Sequence, residues 1–425
     1  MGKPDARPPA VVVGLDCVTG LQTTRLLADR GVPVIALAAD RDHFCVRTRV
    51  PQRKVIAPTT GEGLIRALER LGPSVAADGP AFLLPCTDGS VLTISAERER
   101  LEPFFRFVLP THDVIRRLMD KVAFAEHAQE NGLPIPPTAI LRSRDDAERA
   151  ARTLEYPVVM KPGLKTPTWL ASSRAKVYTV NDAGQLLAEY DRVHAWTTQL
   201  IAQSWVAGGE DALFSCNAYF DREGRPQATF IARKIRQWPP DTGTSSLGVE
   251  VREDTVLDAA IDLFTSANYR GLAYVEMKRD ERTGRFSIIE PNLGRPTGRS
   301  AIAERGGVEL LLTAYCDALG LPLPTRREQR YGGVKWIYWR HDLQAAAVAM
   351  RRGRLSIGDW WRSVRGPSIE AVASLRDPRP MVAELGHVAG AIWRTLRRGS
   401  PRPIVAPDAP AAATPSKGRV SIRLG

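Results

Sequence analysis

The stretch 271–292, GLAYVEMKRDERTGRFSIIEPN, decides how the rest of the chain is interpreted. Two apolar runs flank the turn-forming residues 281–284, so the sequence predicts a β-hairpin. Glu276 and Glu290 are equally far from the middle of this turn, and we expect them to face each other with Cβ atoms about 5 Å apart. Asn292 follows Glu290 by two residues and therefore points to the same face of the strand.

Two opposed carboxylates inside apolar strands repel each other unless a cation lies between them. Glu276, Glu290 and Asn292 offer only oxygen ligands, which suit Mg²⁺ or Mn²⁺, ions that usually share their coordination shell with water and phosphate. The alternative is a solvated hairpin face that carries acidic residues by chance. We favour the metal site.

Lysines elsewhere in the chain suit a phosphate ligand. Lys121 follows Asp120 at the start of a predicted helix, and Lys161 ends the apolar strand YPVVMK. A lysine at the end of a strand can reach a phosphate as a point charge, although each of these lysines could equally be a solvated surface residue. Gln203 to Val206 follow another strand, where backbone groups can meet an adenine edge, and the carboxylate of Glu210 suits ribose hydroxyls.

A basic run precedes a loop rich in glycine and hydroxyl groups. Arg233, Lys234 and Arg236 come directly before WPPDTGTSS at 238–246. Such a loop could close over anionic phosphates, and a basic exposed turn is the alternative.

Taken together and in this order, these segments resemble the ATP-grasp superfamily of ATP-dependent carboxylate–amine ligases. The resemblance runs from about Val11 to Leu319 and looks strongest to the branch that includes carbamoyl phosphate synthases and D-aspartate ligases. The segments that carry it are MDKVAFAEHAQENGLPIPPT, YPVVMKPG, QSWVAGGED, RKIRQWPPDTGTSS, YVEMK and IIEPNLGRPTGRS.

The resemblance implies a role for each candidate residue. Lys121 and Lys161 would hold the ATP phosphates, the segment Gln203, Ser204, Trp205 and Val206 would bind adenine, and Glu210 would bind ribose. Glu276, Glu290 and Asn292 would hold magnesium, and Arg295 and Lys234 would act at the reacting groups. The turn 85–88 (PCTD) resembles a substrate-facing turn of that superfamily.

One loop departs from the superfamily pattern. Many relatives have a glycine-rich phosphate loop after the lysine of YPVVMK, whereas here the sequence is GLKTPTWLASSRAK, at 163–176. We expect Ser172, Ser173 and Lys176 to replace backbone groups in binding the triphosphate.

The order of strand-like and helix-like segments predicts α/β followed by α+β architecture. Alternating strands and helices imply a parallel sheet with helices on both faces at the start of the chain. The resemblance then implies an N-terminal α/β domain of the kind that precedes an ATP-grasp domain, a two-subdomain ATP-grasp fold and a helical C-terminal region. The predicted boundaries are 1–115 for the N-terminal domain, 116–195 and 196–325 for the small and large ATP-grasp subdomains, 326–400 for a basic, Trp-rich helical region, and 401–425 for a disordered tail.

Composition and charge limit the classes of protein to which this chain can belong. The chain has 425 residues, 44% hydrophobic and 25% charged, which is ordinary globular usage. Scattered cysteines, the lack of a CxxC motif and a start without an apolar signal segment favour a cytoplasmic protein without disulfides or structural zinc. Residues 326–398 carry 15 Lys and Arg against 6 Asp and Glu, and this region holds most of the net charge of +12.

The partners that we expect are small molecules. They are a carboxylate, with an amino acid as the default, and an amine, with no nucleic acid. We favour a helical cap on the ATP-binding core for 326–398, and a weak contact of this region with a membrane surface, through an amphipathic helix at 381–398, is the minority hypothesis. A homodimer is a further option.

Two other functions are open at this point. A dinucleotide-dependent oxidoreductase would use Gly14, Gly20 and Asp40, although the opening sequence does not fit GxGxxG and this function leaves the two hairpin carboxylates unexplained. A non-catalytic nucleotide-binding protein would keep the fold and dock its basic region on an acidic partner. We favour a ligase that forms an acyl phosphate from a carboxylate and ATP and passes the acyl group to an amine.

Overall fold

Three β-sheets follow one another along the chain. The computed structural model describes residues 7–163, 167–173, 177–240 and 243–387. Described residues up to Met381 form one compact unit, and 382–387 belong to a second unit. Lys176 and most of the predicted amphipathic helix and tail therefore lie outside the described residues.

The first sheet has five parallel strands in the order β3-β2-β1-β4-β5. This confirms the predicted parallel α/β unit, and its central strands are buried on both faces, as parallel sheets require. Its elements are β1 (Ala10–Val13), α1 (Val18–Asp29), β2 (Val34–Ala38), β3 (Arg53–Ile56), α2 (Gly61–Val75), β4 (Ala81–Pro85), α3 (Asp88–Ala96), α4 (Arg98–Leu101), β5 (Phe105–Arg106) and α5 (His112–Met119). Because α5 runs through 115, the predicted domain boundary falls inside a helix.

A glycine turn joins β1 to α1. Gly14 has φ +107°, and a Cβ atom on Gly20 would lie 2.0 Å from the Gly14 carbonyl oxygen, so the close approach of these two segments requires glycine at 20. Cys17 caps the helix by accepting a hydrogen bond from the Gly20 amide (3.4 Å). The first turn of α1 is thereby held at the carboxyl edge of the sheet.

The second sheet has four antiparallel strands in the order β6-β9-β7-β8. Strand β9 pairs with β6 and β7, so residues 200–204 belong to this small sheet. The predicted start of the large subdomain at 196 therefore lies before the last strand of the small sheet. Trp169 is buried beneath the sheet, with its ring 5.8 Å from those of both Tyr178 and Trp196. The elements are α6 (Lys121–Glu130), β6 (Thr138–Leu141), α7 (Arg144–Thr153), β7 (Val158–Pro162), α8 (Pro167–Ser172), β8 (Tyr178–Val180), α9 (Ala183–Val193) and β9 (Leu200–Ser204).

The third sheet has seven strands in the order β14-β13-β10-β11-β12-β15-β16. All neighbours are antiparallel except the last pair, β15 and β16. The elements are β10 (Leu213–Phe220), β11 (Pro226–Trp238), β12 (Thr244–Glu250), α10 (Asp254–Ser266), β13 (Gly271–Arg279), β14 (Phe286–Leu293), α11 (Ser300–Arg305), α12 (Leu310–Ala318), β15 (Lys335–Ile337), α13 (Trp339–Arg351), α14 (Ile357–Val364) and β16 (Ser368–Glu370).

The basic C-terminal region is not simply helical. Its strand β15 pairs with β12 and extends the large sheet, so the region is part of the core sheet as well as a cap on it. Helix α13 is fixed to β11 by Asp342, whose buried carboxylate accepts hydrogen bonds from Arg236 (2.8 and 3.0 Å). Over the described stretches of chain, every helix is too short or too polar to cross a bilayer.

Candidate active site between two cavities

The hairpin that the sequence predicts is present as β13 and β14. Glu276 is the direct partner of Glu290, and Tyr274 is the partner of Asn292, so the two carboxylates face each other as expected. Asp280 holds the turn, since one of its carboxylate oxygens accepts hydrogen bonds from the amides of Arg282 (2.8 Å) and Thr283 (3.2 Å). The turn sets the register of the pairs nearest to it, and a register shift between Met277 and Glu276 then brings the two glutamates opposite each other.

The two glutamates have different surroundings. Glu276 Oε1 forms an ion pair with Lys234 Nζ at 2.8 Å, and the lysine side chain is only 6% exposed. Glu290 lies exposed. The two carboxylates are therefore not equivalent, because Lys234 already neutralises one of them.

A cavity of about 280 Å³, called the lysine cavity here, contains several predicted residues. The polar side chains that line it are Asp88, Lys121, Lys161, Gln203, Glu290 and Asn292. The small sheet supplies Lys161 and Gln203, and the large sheet supplies Glu290 and Asn292. The structure thus brings together the residues that the sequence assigns to phosphate and to metal.

Lys161 is the most perturbed cation of the lysine cavity. Burial, together with the nearby charge of Lys121, lowers the pKa of Lys161 to about 8, and the carboxylate of Glu290 acts in the opposite direction. Lys161 Nζ donates a hydrogen bond to Gln203 Oε1 (3.3 Å), and Gln203 Nε2 donates one to Thr138 Oγ1 (2.8 Å). A buried ammonium of this kind is suited to an anionic ligand, which would restore its ordinary pKa.

A second cavity of about 570 Å³, called the arginine cavity here, lies on the other side of the hairpin carboxylates. Its charged lining includes Lys234, Glu276, Glu290, Arg295, Arg299 and Arg340. Glu290 and Asn292 line both cavities. These two side chains therefore stand where a group bound in one cavity would meet a group bound in the other.

Arg295 links the hairpin to the N-terminal domain. Its Nε donates to Asp88 Oδ1 (2.5 Å), in the first turn of α3, and its Nη2 donates to Asn292 Oδ1 (2.7 Å). The predicted substrate-facing turn at 85–88 is thus in contact with the predicted catalytic arginine. A carbonyl oxygen has two lone pairs, so Asn292 can accept from Arg295 and still coordinate a cation.

The predicted adenine and ribose residues are not all in the lysine cavity. The amides of Ser204 and Trp205 donate to Pro137 O and Pro157 O, both at 2.9 Å. Trp205 is 43% exposed, and Lys278 Nζ lies 4.6 Å from its ring centre. Glu210 accepts a hydrogen bond from the Gln237 amide (2.9 Å) and lines a separate cavity of about 260 Å³.

Arg299 is a charged residue of the site that the sequence analysis did not single out. It is 6% exposed, lies over the Tyr274 ring at 5.1 Å, and has its Nη2 3.9 Å from Glu276 Oε1. Its Nη1 has no hydrogen-bond partner in the part of the chain that the structure describes. Burial lowers the pKa of Arg299 to about 10. The signal was present in the sequence, since Arg299 follows Arg295 by four residues in GRPTGRS.

Comparisons with known proteins agree with this architecture, although no family model matches the chain. The chain is 23% identical over 230 residues to a D-aspartate ligase from Enterococcus faecium, which covers 52% of this chain and 54% of that protein. It is 23% identical over 332 residues to the N-terminal section of a carbamoyl phosphate synthase large chain from Methanopyrus kandleri, which covers 74% of this chain and 55% of that protein. The matches thus span about half the length of these curated relatives.

Solved structures share the fold over about three quarters of the chain. N5-carboxyaminoimidazole synthetase from Staphylococcus aureus has a TM-score of 0.58 at 15% identity, over 76% of this chain and 80% of that chain. Biotin carboxylase from Campylobacter jejuni has a TM-score of 0.61 at 14% identity, over 77% of this chain and 74% of that chain. The chain has the ATP-grasp fold.

The glycine turn on which the oxidoreductase hypothesis depends has a different role in this fold. Asp40 Oδ1 accepts a hydrogen bond from the Asp42 amide (2.8 Å), and Asp16 accepts from the amides of Ala39 and Asp40 (both 2.9 Å), so these carboxylates stabilise the end of β2. Thr19, in the first turn of α1, lines the arginine cavity. The turn thus serves the cavity between the N-terminal and ATP-grasp domains.

Proposed function

We propose that the chain is an ATP-dependent ligase that joins a small-molecule carboxylate to an amine through an acyl phosphate. The observation that carries the proposal is the meeting of the two cavities at Glu290 and Asn292. Partly buried lysines suited to phosphate line one cavity, and Arg299, which is buried, and Arg295, which is partly buried, line the other and suit a carboxylate or an acyl phosphate. The ligases among the relatives, such as the D-aspartate ligase, support this reaction class.

The proposed nucleotide is ATP with Mg²⁺ or Mn²⁺. The donor set fits such a cation, since Glu290 and Asn292 line both cavities and Glu276 lies opposite Glu290 in the arginine cavity. Glu276, Glu290 and Asn292 would hold it, and when bound it would neutralise charge on the phosphates. Structural neighbours have been solved with ADP and with MgADP, which supports this assignment.

The proposed reaction has two balanced steps. An oxygen of the substrate carboxylate attacks the γ-phosphorus of ATP, and the bond from this phosphorus to the bridging oxygen breaks, which releases ADP. The amine nitrogen then attacks the acyl carbon, the carbon–oxygen bond to phosphate breaks, and the nitrogen loses a proton. The products are an amide, ADP and phosphate.

The side chains of the two cavities have different roles in this reaction. Lys121 and Lys161 bind and orient the phosphates, and Lys234 adds positive charge on the side of Glu276. Arg295 and Arg299 stabilise the oxyanions of the acyl phosphate and of the tetrahedral intermediate. Val206 would offer its backbone to adenine, and Lys176 and Glu210 keep their predicted roles at the triphosphate and the ribose.

A screen of carboxylates against amines, with Mg·ATP and detection of ADP and phosphate, tests the proposal. We expect ADP release that requires both a carboxylate and an amine. Formation of AMP and pyrophosphate would replace the acyl-phosphate scheme with adenylation. ATP binding without turnover for every pair would favour the non-catalytic nucleotide-binding protein.

A further inference from the structure

Residues 43–49, called the Phe44 loop here, come after β2 at the carboxyl edge of the first sheet. They contain a short 3₁₀ helix, Phe44–Arg47. Among the described residues, His43 and Phe44 line the arginine cavity, and neither lines the lysine cavity. The loop therefore faces a group bound in the arginine cavity and stands apart from the lysine cavity, to which the phosphates are assigned.

A segment from the other end of the chain anchors this loop. Asp377 Oδ2 accepts a hydrogen bond from Thr48 Oγ1 (2.5 Å), and Asp377 Oδ1 accepts one from the Arg49 amide (3.3 Å). Thr48 is fully buried, and the side chain of Asp377 is 5% exposed. The carboxylate thus holds the end of the 3₁₀ helix that begins with Phe44.

The same segment, residues 371–377, holds helix α1 and is called the strap here. Arg25 of α1 donates to Asp377 Oδ2 through Nε (3.0 Å) and Nη2 (2.9 Å), and its Nη1 donates to Val372 O (2.8 Å). Ala371 and Val372 are buried in the same hydrophobic cluster as Leu21 of α1. Because the first turn of α1 also lines the arginine cavity, the strap joins two elements of the N-terminal domain that border this cavity.

The carboxylate of Asp377 lies within a cluster of positive charge. Partial burial, followed by two nearby arginines, lowers the pKa of Lys54, whereas the charge of Asp377 acts in the opposite direction. Lys54 Nζ donates to two carbonyl oxygens of the Phe44 loop, both at 2.9 Å. Removal of the negative charge at 377 would leave Arg25 and Lys54 without this anion, and their repulsion would separate the loop from α1.

We propose that Asp377 is a positioning residue that holds Phe44 at the arginine cavity, through Thr48 and Arg25, and thereby sets the affinity for the substrate bound there. The strap lies beyond Leu319, where the resemblance to the ATP-grasp superfamily ends. It acts on the carboxylate or the amine and leaves ATP binding unchanged, because the described loop borders only one of the two cavities at the hairpin. The proposal rests on the proposed ligase function and specifies how one of its substrate sites is positioned.

Hydrogen–deuterium exchange of the full chain tests the anchoring contact without any substrate. Asp377→Asn keeps the size of the side chain and an oxygen for Thr48, but it removes the charge that pairs with Arg25. We expect the amides of residues 43–50 to exchange at least about threefold faster than in the wild type, with the exchange of the small sheet unchanged. A smaller change at 43–50 would overturn the proposal whatever the activity.

Matched variants show whether the effect belongs to this carboxylate. Asp29→Asn is the control, because Asp29 of α1 pairs with Arg376 of the strap at 3.9 Å but both side chains are exposed, and such pairs contribute little. It should exchange like the wild type. Thr48→Val should speed exchange as Asp377→Asn does, and Thr48→Ser, which keeps the hydroxyl group, should restore slow exchange. Comparable exchange in Asp29→Asn and Asp377→Asn would contradict the proposal.

Kinetics connect the strap to substrate affinity. With a carboxylate–amine pair that releases ADP, Asp377→Asn should raise the KM of at least one of these two substrates about tenfold. We expect kcat to change less than about threefold and the KM for ATP less than about twofold. Phe44→Ala should raise the KM of the same substrate, which locates the effect at this side chain. Equal changes in all three KM values, or no change in any, would overturn the proposal.

Melting temperatures separate failure of this proposal from failure of the ligase function. They are recorded for the wild type, Asp29→Asn and Asp377→Asn with aspartate, alanine and phenylalanine, each in the presence of Mg·ADP. An amino acid that stabilises the first two proteins and not Asp377→Asn would support the role of the strap even if no pair releases ADP. Equal stabilisation of all three proteins, or no stabilisation together with no turnover, would overturn it.

Discussion

Glu276 and Glu290 face each other across the hairpin, but only Glu276 has a buried cation as its partner. Lys234 donates to Gln237 Oε1 (3.2 Å) as well as pairing with Glu276, so it cannot move to Glu290 without losing both contacts. Substitutions of the two carboxylates should therefore have different effects on the stability of the protein and similar effects on its activity.

Glu290→Gln should leave the free energy of unfolding within about 0.5 kcal/mol of the wild type, because the side chain is exposed. Glu276→Gln should lower it by about 1–3 kcal/mol, because the buried ammonium of Lys234 loses its charged acceptor. Both should reduce ADP release by at least the roughly 10–100-fold that is typical for groups around a metal. Urea denaturation without nucleotide and ADP-release rates measure the two effects.

Asp40→Asn is the control for these variants, since the Asp40 carboxylate bonds only the Asp42 amide of its own turn among the described residues. It should retain wild-type ADP release. Near-normal turnover of Glu290→Gln, or loss of turnover in Asp40→Asn, would refute the assignment of the hairpin.

Lys161 should give ATP binding a pH dependence. The pKa of Lys161 is lowered to about 8 in the free protein, so the cation is present below this pH and is lost as the pH rises through it. We expect kcat/KM for ATP to fall by about tenfold between pH 7 and pH 9, in proportion to the protonated fraction.

Lys161→Arg should remove this slope, because a guanidinium stays charged over the whole range. Its absolute kcat/KM can be lower, since the geometry of the donor changes. A wild-type profile that is flat from pH 7 to pH 9, or an unchanged slope in Lys161→Arg, would contradict the role of Lys161.

At the scale of elements, α13 carries the wall of the arginine cavity and depends on one buried ion pair. Asp342 is fully buried and Arg236 nearly so, and Arg236 Nη1 also donates to Ser363 Oγ (2.8 Å) of α14. The contact therefore joins β11, α13 and α14.

Asp342→Ala should lower the free energy of unfolding by about 3–5 kcal/mol, because it leaves the guanidinium of Arg236 buried without an anion. Denaturant unfolding followed by circular dichroism measures the change. The control is Asp258→Ala, an exposed helical aspartate of α10, which should stay within about 0.5 kcal/mol of the wild type. Comparable losses in the two variants would show that the ion pair does not hold α13.

At the scale of the whole molecule, positive charge and exposed apolar side chains coincide on α13 and α14. Ile357, Trp361 and Leu343 are 74%, 57% and 51% exposed. Exposed arginines are nearby in the sequence, at 351, 354, 362 and 365. Apolar and tryptophan side chains beside arginines are also found in proteins that contact a membrane surface, and the membrane contact predicted for the helix at 381–398 stays a prediction.

The protein should co-sediment with vesicles that contain anionic phospholipid at low salt and lose this binding at high salt. Ile357→Ser together with Trp361→Ser should weaken the binding about tenfold, since apolar area is removed from the contact. Leu375→Ser removes a fully exposed leucine outside these helices and should have no effect. Equal binding of wild type and double variant, or no binding at either salt, would remove the membrane hypothesis.

The sequence by itself determined the parallel first sheet and the hairpin, because these features depend on local periodicity and turn chemistry. The prediction that Glu276 and Glu290 face each other is confirmed, but the strands reach this pairing through a register shift between Met277 and Glu276 that the turn does not encode. The sequence also indicated Lys121 and Lys161, since each stands at the start or end of a single element. The tertiary structure was needed for contacts between segments that local sequence patterns do not encode. Lys234 pairs with Glu276 because β10 lies between β11 and β13, and β15 enters the large sheet although its surroundings are helical.

Two further features could be found only in the three-dimensional structure, because they too depend on contacts between distant segments. Trp169, in the segment that departs from the superfamily pattern, makes buried ring contacts with residues nine and 27 positions away in the sequence. Arg299 and Arg340 reach one cavity from two separate segments, one after β14 and the other at the start of α13. The spacing of hydrophobic residues and the turn residues predict the local conformation of the chain. The charges and the burial of this site depend on segments that are distant in the sequence and that meet only in the folded sheets.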